Sequence, residues 1–274
     1  MINALFIVWR ECFEAVLIVG ILYAYLRRQP NSTRSIRFMW GGITCGLILS
    51  GLLAWAFQHV ESELQGNALE YFEISMLTVA ALLMTQMCIW MHRHSKKLKG
   101  ELEGSLADVL TTSKLIGVAT IAAVAIAREG FELVMFFYGM GIEAANQNGM
   151  STLIGYSLAG VALTAVTYWA YYRGLKIFNP KVFFRVTAVF LLVTASSLLV
   201  ASTLKLLQMD AIPTLKSPIW DTSGLLDERS GMGQFISTMT GYHSTPALMT
   251  VLILMAYWLI TLFFYFEVPK RLNK

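Results

Sequence analysis

Ala127-Arg128-Glu129-Gly130-Phe131-Glu132 sets three charges inside an apolar segment that runs from about Leu115 to Met140. A segment of that length crosses a bilayer, which takes about 20 apolar residues. Near the middle of a spanning helix each such charge costs roughly 2.5–3.5 kcal/mol on insertion scales. Three within six residues therefore call for a polar cavity and for one another. The pattern occurs once more near the N-terminus, as Arg10-Glu11-Cys12-Phe13-Glu14, each charged position 118 residues before its mate.

The rest of the chain agrees with a membrane setting. Of its 274 residues 56% are hydrophobic and 14% charged, and the mean hydropathy is +0.60; soluble domains carry about 25% charged residues. Cys12, Cys45 and Cys88 fall in apolar segments, at no spacing that suggests zinc or disulfides, and read as packed thiols. The net charge of +4 is too small and too segregated for a nucleic-acid partner. No basic stretch or small-residue cleavage site precedes the first apolar run, so Met1 is expected to open the first span.

Hydropathy predicts an all-α integral membrane protein with seven transmembrane helices, near 2–26, 38–59, 70–91, 115–140, 152–172, 183–207 and 246–267. Sixteen of the 21 Lys and Arg collect on one side, in the odd-numbered connections and the C-terminal tail. Basic connections stay in the cytoplasm. The N-terminus is therefore expected outside and the C-terminus inside. The outer connections lean acidic (Glu61, Glu63, Glu143, Asp210, Asp221, Asp227, Glu228), as ordinary solvated loops do and as a cation-focusing vestibule would. His92-Arg93-His94-Ser95-Lys96-Lys97 reads as a positive-inside anchor rather than a metal exit site. The stretch Met209–Thr245, with Pro213, Pro218 and several glycines, is too polar to span and long for a passive connection, which leaves a gating or docking role open.

Three spans separate the two charged copies, and an odd number reverses the direction of the chain. This is the sign of an inverted 3+3 repeat with one extra helix: repeat A over 1–92, repeat B over 113–208, an outer loop over 209–245 and the seventh helix over 246–267. Substrate sites in such folds lie near the midplane where the halves meet. Glu14 stands about 20 Å along its helix, at 1.5 Å per residue, and Glu129 a similar distance from the opposite face. Glu11 and Glu14 share a helix face, as do Glu129 and Glu132, and each Arg precedes a Glu by four residues, within ion-pair reach. Four carboxylates against Arg10 and Arg128 leave two negative charges uncompensated. A multivalent cation resolves this, and carboxylate oxygens suit Fe(III), Mn, Mg or Ca rather than Cu(I). The plainer alternative is a pair of Arg–Glu bridges that lock helix 1 to helix 4, which leaves the second Glu of each copy unexplained.

The doubled motif resembles the Arg-Glu-Gly-Leu-Glu signature of the oxidase-dependent iron permeases, the fungal high-affinity permeases and the bacterial EfeU proteins, and the likeness extends along most of the chain. Tyr71-Phe72-Glu73, Trp220-Asp221-Thr222-Ser223-Gly224-Leu225-Leu226, Gly241-Tyr242 and Pro246 are further matches. The resemblance implies that Glu11, Glu14, Glu129 and Glu132 bind iron during translocation, with Arg10 and Arg128 positioning them or balancing charge. It implies iron as transported substrate, no permanent cofactor, and an iron oxidase or periplasmic iron-delivery proteins as partners. The expected function is passage of iron, as Fe(III) supplied by that oxidase, into the cytoplasm of a bacterium across its inner membrane. Departures from the pattern are Cys12 in place of the first Gly, Phe13 and Phe131 in place of Leu, and Ile74 in place of a Gly that follows the span-3 Glu. Glu73 is accordingly a secondary candidate, for a vestibule or entry site.

Two other readings compete. Met84, Met87 and Met91 recur at helical spacing and could serve a copper carrier, though methionine commonly fills packing gaps; manganese is a further cargo. An intramembrane di-iron oxidase would add histidines at helical spacing. His59, His92, His94 and His243 all fall outside the middle of a span.

Overall fold

The computed structural model describes residues 2–29, 32–94, 104, 115–146, 150–173, 180–224, 226, 233, 236–237 and 240–266. Among them run seven α-helices of 19 residues or more: α1 (Ile2–Leu26), α2 (Ser32–Glu63), α3 (Asn67–His94), α4 (Leu115–Asn146), α5 (Met150–Tyr172), α6 (Pro180–Gln208) and α7 (Leu248–Phe266). The seven expected spans correspond one to one with these helices. The basic run at Ser95–Lys97, the residues 174–179, Asp227, Glu228 and the C-terminal Lys270, Arg271 and Lys274 lie outside the described residues.

Five of the seven, all but α1 and α4, are long and apolar enough to cross a membrane by length and composition. The two exceptions are the motif helices. Arg10, Glu11 and Glu14, or at least three of Arg128, Glu129, Glu132 and Glu143, fall inside any 18-residue window of α1 or α4. Of the residues that make these helices expensive to insert, Arg10, Glu11, Glu14, Glu129 and Glu132 are buried inside the bundle. The apolar side chains left exposed, such as Leu47, Ile48 and Trp55 on α2 and Leu259 and Phe263 on α7, form continuous faces of the kind that meet lipid.

The principal helix contacts are α2 on α4, α3 on α6 and α1 on α5, with α1 also crossing α4. Close approach depends on small residues, as is usual where lipid supplies no hydrophobic drive between helices. A Cβ built at Gly42 of α2 would stand 2.1 Å from the Ala119 carbonyl oxygen of α4, and one at Gly160 of α5 would stand 2.7 Å from the Leu5 carbonyl oxygen of α1. Gly42 and Gly160 are themselves 118 residues apart.

Two apolar cores result. One gathers Ile7 of α1, Leu77 and Met84 of α3, Met135 and Phe136 of α4, and Leu198 of α6. The other joins Ile18 and Leu22 of α1 to Met39 of α2 and to Val118 and Ile126 of α4. On α1 and α4 alike, the charged motif lies in the interval between them.

The segment between α6 and α7 folds back on itself. Ile219 N–H donates to the Pro246 carbonyl, Thr222 N–H to Ser244 and Leu248 N–H to Lys216. The Tyr242 and Thr222 hydroxyls bond each other, and Gly241, at φ 71°, lies against Ser197 and Val200 of α6. The stretches Trp220–Thr222 and Gly241–Pro246, separate in sequence, form one unit. One expectation is corrected here: of the three thiols only Cys88 is packed, whereas Cys12 is half-buried and Cys45 exposed.

Candidate metal site

Position 10 of α1 faces α3, and Arg10 is among the most deeply buried large side chains of the protein. Its Nη1 donates to Glu11 Oε1 at 2.7 Å and to Met87 Sδ at 3.0 Å. Its Nη2 lies 2.9 Å from Glu14 Oε1, an ion contact not aligned as a hydrogen bond. On α4, Arg128 Nε donates to Glu132 Oε1 at 3.2 Å, so both i,i+4 pairs expected from the spacing are present. The surroundings differ, however. The Arg10 side chain is 2% exposed and the Arg128 side chain 43%, its guanidinium stacked 4.7 Å from the centroid of Trp90 on α3.

All four motif glutamates are buried. Glu11, Glu14 and Glu129 each turn one carboxylate oxygen to a common point, these oxygens lying within 4.8 Å of one another. Glu132, paired with Arg128, is not one of the three. Glu11 Oε2, Glu14 Oε1, Glu129 Oε2 and Glu132 Oε2 are buried without a hydrogen-bond donor. A buried carboxylate oxygen without a donor is costly, and several in one place are relieved by a bound cation, by protonation or by water. The donor set is oxygen throughout. Cys88 is turned aside to the Ala188 carbonyl, and among the described side chains no histidine joins the cluster.

Gly130 and Cys12 are equivalent positions of the two motifs with unlike neighbours. A Cβ at Gly130 would meet the Ser50 hydroxyl of α2 at 1.9 Å. Cys12 instead lines an open cavity of about 770 Å³ between α1, α2, α3, α4 and α5. At its far end, where α2 gives way to α3, the cavity is lined by Gln58, Glu61, Glu73 and Tyr138. Glu73 accepts from Lys205 Nζ of α6 at 2.5 Å. Glu73 therefore lines this cavity, apart from the three-glutamate cluster. The partners Lys205, Met87 and Trp90 are what the sequence did not indicate. Met87 carried a signal, the methionine spacing, but it pointed to packing, and Met87 is indeed buried.

A model of the iron permease FTR1 family matches residues 1–268. The chain is 28% identical over 267 residues to a protein of Yersinia pestis named ferrous iron permease EfeU, covering 96% of this chain and 93% of that one. Proteins of the same name from Shigella sonnei and Escherichia coli O157:H7 are each 27% identical over 268 residues, covering 97% of this chain and 95% of theirs. No solved structure matches the chain.

Proposed function

The chain belongs to the iron permease FTR1 family, and from that premise we propose that iron crosses the membrane through the carboxylate cluster of α1 and α4, with Glu11, Glu14 and Glu129 as first ligands and Glu132 as a fourth. Family and relatives make it a multi-pass bacterial membrane transporter rather than an enzyme. The observation that carries the site is the convergence of three buried carboxylate oxygens within 4.8 Å, on the two helices that bear the repeated motif.

The halves are an inverted repeat, residues 1–92 against 113–208. Support comes from the paired contacts α2 on α4 and α1 on α5, and from Gly42 and Gly160 occupying equivalent close approaches. The excess of Lys and Arg in the odd-numbered connections puts the α2–α3 turn outside. The cavity past Glu61 and Glu73 is then the entrance, and Cys12 marks its inner end. Iron arrives there as Fe(III) from a partner oxidase. The all-oxygen donor set favours the harder ion, although the relatives are named for ferrous iron.

Uptake of radiolabelled iron by cells without other iron importers tests this reading, at matched membrane abundance. Glu11→Ala and Glu129→Ala are expected to lose transport while Glu63→Ala, at the exposed end of α2, retains it. Equal uptake by all variants would reduce the motif to a structural lock.

A further inference from the structure

The two motif arginines are alike in sequence and unlike in placement. Arg10 contacts both glutamates of its copy and is closed in by Met87. Arg128 pairs, among the described residues, with Glu132 alone within ion-pair distance, and its guanidinium is carried away to the Trp90 ring. Glu129 consequently keeps a buried Oε2 with no donor, and Glu129 is a member of the three-oxygen cluster while Glu132 is not. Arg128 precedes Glu129 by one residue, as Arg10 precedes Glu11, and Arg10 does bond Glu11. The same reach is open to Arg128 if nothing holds it elsewhere.

We propose that Trp90 is a positioning residue: by stacking on Arg128 it keeps that guanidinium off Glu129, so the cluster stays negative enough to take a cation. Released from the ring, Arg128 places a tethered positive charge against the oxygens that iron needs. A planar guanidinium on an indole face is a favourable contact, and Arg loses less ordering entropy in such a contact than Lys. Trp90 is half-buried and Arg128 partly exposed, so the stack is not closed in on every side and has room to open. This inference rests on the iron site proposed above and adds to it the residue that sets the charge of that site.

The test is equilibrium binding of Fe(III), supplied as its citrate complex, to the purified full-length protein in detergent. Trp90→Leu is expected to weaken binding by roughly fivefold, the scale of a cation–π contact at a half-exposed position. Trp90→Phe, which retains a ring, recovers most of the loss. In an Arg128→Gln background, Trp90→Leu costs nothing further, because the competing cation is gone. A second readout needs no iron: phenylglyoxal labelling followed by mass spectrometry modifies Arg128 and spares Arg10 in the native chain, and Trp90→Leu lowers the Arg128 yield. Unchanged binding in Trp90→Leu, an equal loss with and without Arg128, or unchanged labelling each overturns the proposal. Native binding that survives Glu129→Gln overturns the iron site instead, which the labelling result does not touch.

Discussion

Lys205 Nζ lies 2.5 Å from Glu73 Oε2, joining α6 to α3 beside the cavity that leads to Cys12. On the proposed entry route, an ammonium on this carboxylate competes with an entering cation. Lys205→Met is therefore expected to lower the KM for iron uptake and Glu73→Gln to raise it, each by up to about fivefold, as for a partly exposed ion pair. Kinetics of uptake at matched membrane abundance provide the check, with the maximal rate unchanged in both variants. A raised KM in Lys205→Met, or a lowered or unchanged KM in Glu73→Gln, would remove Glu73 from the proposed approach.

The unequal burial of the two arginines separates their effects on stability. Arg10→Ala strands Glu11 and Glu14 in the interior and is expected to cost about 3–5 kcal/mol, the scale for breaking a buried pair. Arg128→Ala removes a half-exposed charge and leaves buried Glu132 without its donor, and should cost less, about 1–3 kcal/mol. Thermal unfolding of the detergent-purified variants reads the difference, and Glu11→Gln with Glu14→Gln should recover much of the Arg10→Ala loss.

Helix spacing is the next point of attack. Gly42→Ala drives a methyl group into the Ala119 carbonyl and forces α2 from α4, whereas nothing stands within 4 Å of a Cβ at Gly41. Overpacking of this kind costs about 1–3 kcal/mol. Gly42→Ala should lower the unfolding temperature and Gly41→Ala should leave it where it is.

Thiol accessibility tests the direction of the cavity. In a Cys45→Ser chain, a membrane-impermeant methanethiosulfonate added outside intact cells should modify Cys12 and slow uptake, while buried Cys88 stays unreacted. Modification only in inverted vesicles would reverse the orientation of the chain.

The valence of the cargo follows from a direct comparison. Fe(III) citrate and ascorbate-reduced Fe(II), offered separately to cells that carry the protein but lack the partner oxidase, should differ in favour of Fe(III). Faster uptake from Fe(II) would assign the ferrous ion to this chain as well.

What the sequence revealed and what it hid divide along a physical line. The seven helices are legible because a bilayer demands long apolar runs, and even the short connections leave little freedom in where those runs end. The pairs Arg10–Glu14 and Arg128–Glu132 are legible because four residues bring two side chains to one face of a single helix. Contacts between helices are another matter. Trp90 beneath Arg128, Met87 beside Arg10 and Lys205 on Glu73 depend on how each helix is rotated and how deep it sits. A helix such as α5 or α6, apolar on nearly every side, carries no periodicity that fixes its rotation. Only the repeat distance supplied depth, by setting two charged stretches at comparable distances from opposite ends.

Ser50 against Gly130, with open cavity beside Cys12, has a consequence for how the two halves drift apart over generations. A site with no room admits one residue, whereas a site on a void admits many. Position 130 is held to glycine by a neighbour in another helix, and position 12 is free to sample alanine, serine, cysteine and beyond. The two copies of the motif are thus expected to differ in the substitutions they accept, for a reason unrelated to chemistry. A saturation library at the two positions, scored for growth on scarce iron, would return a broad tolerance at one and a single survivor at the other.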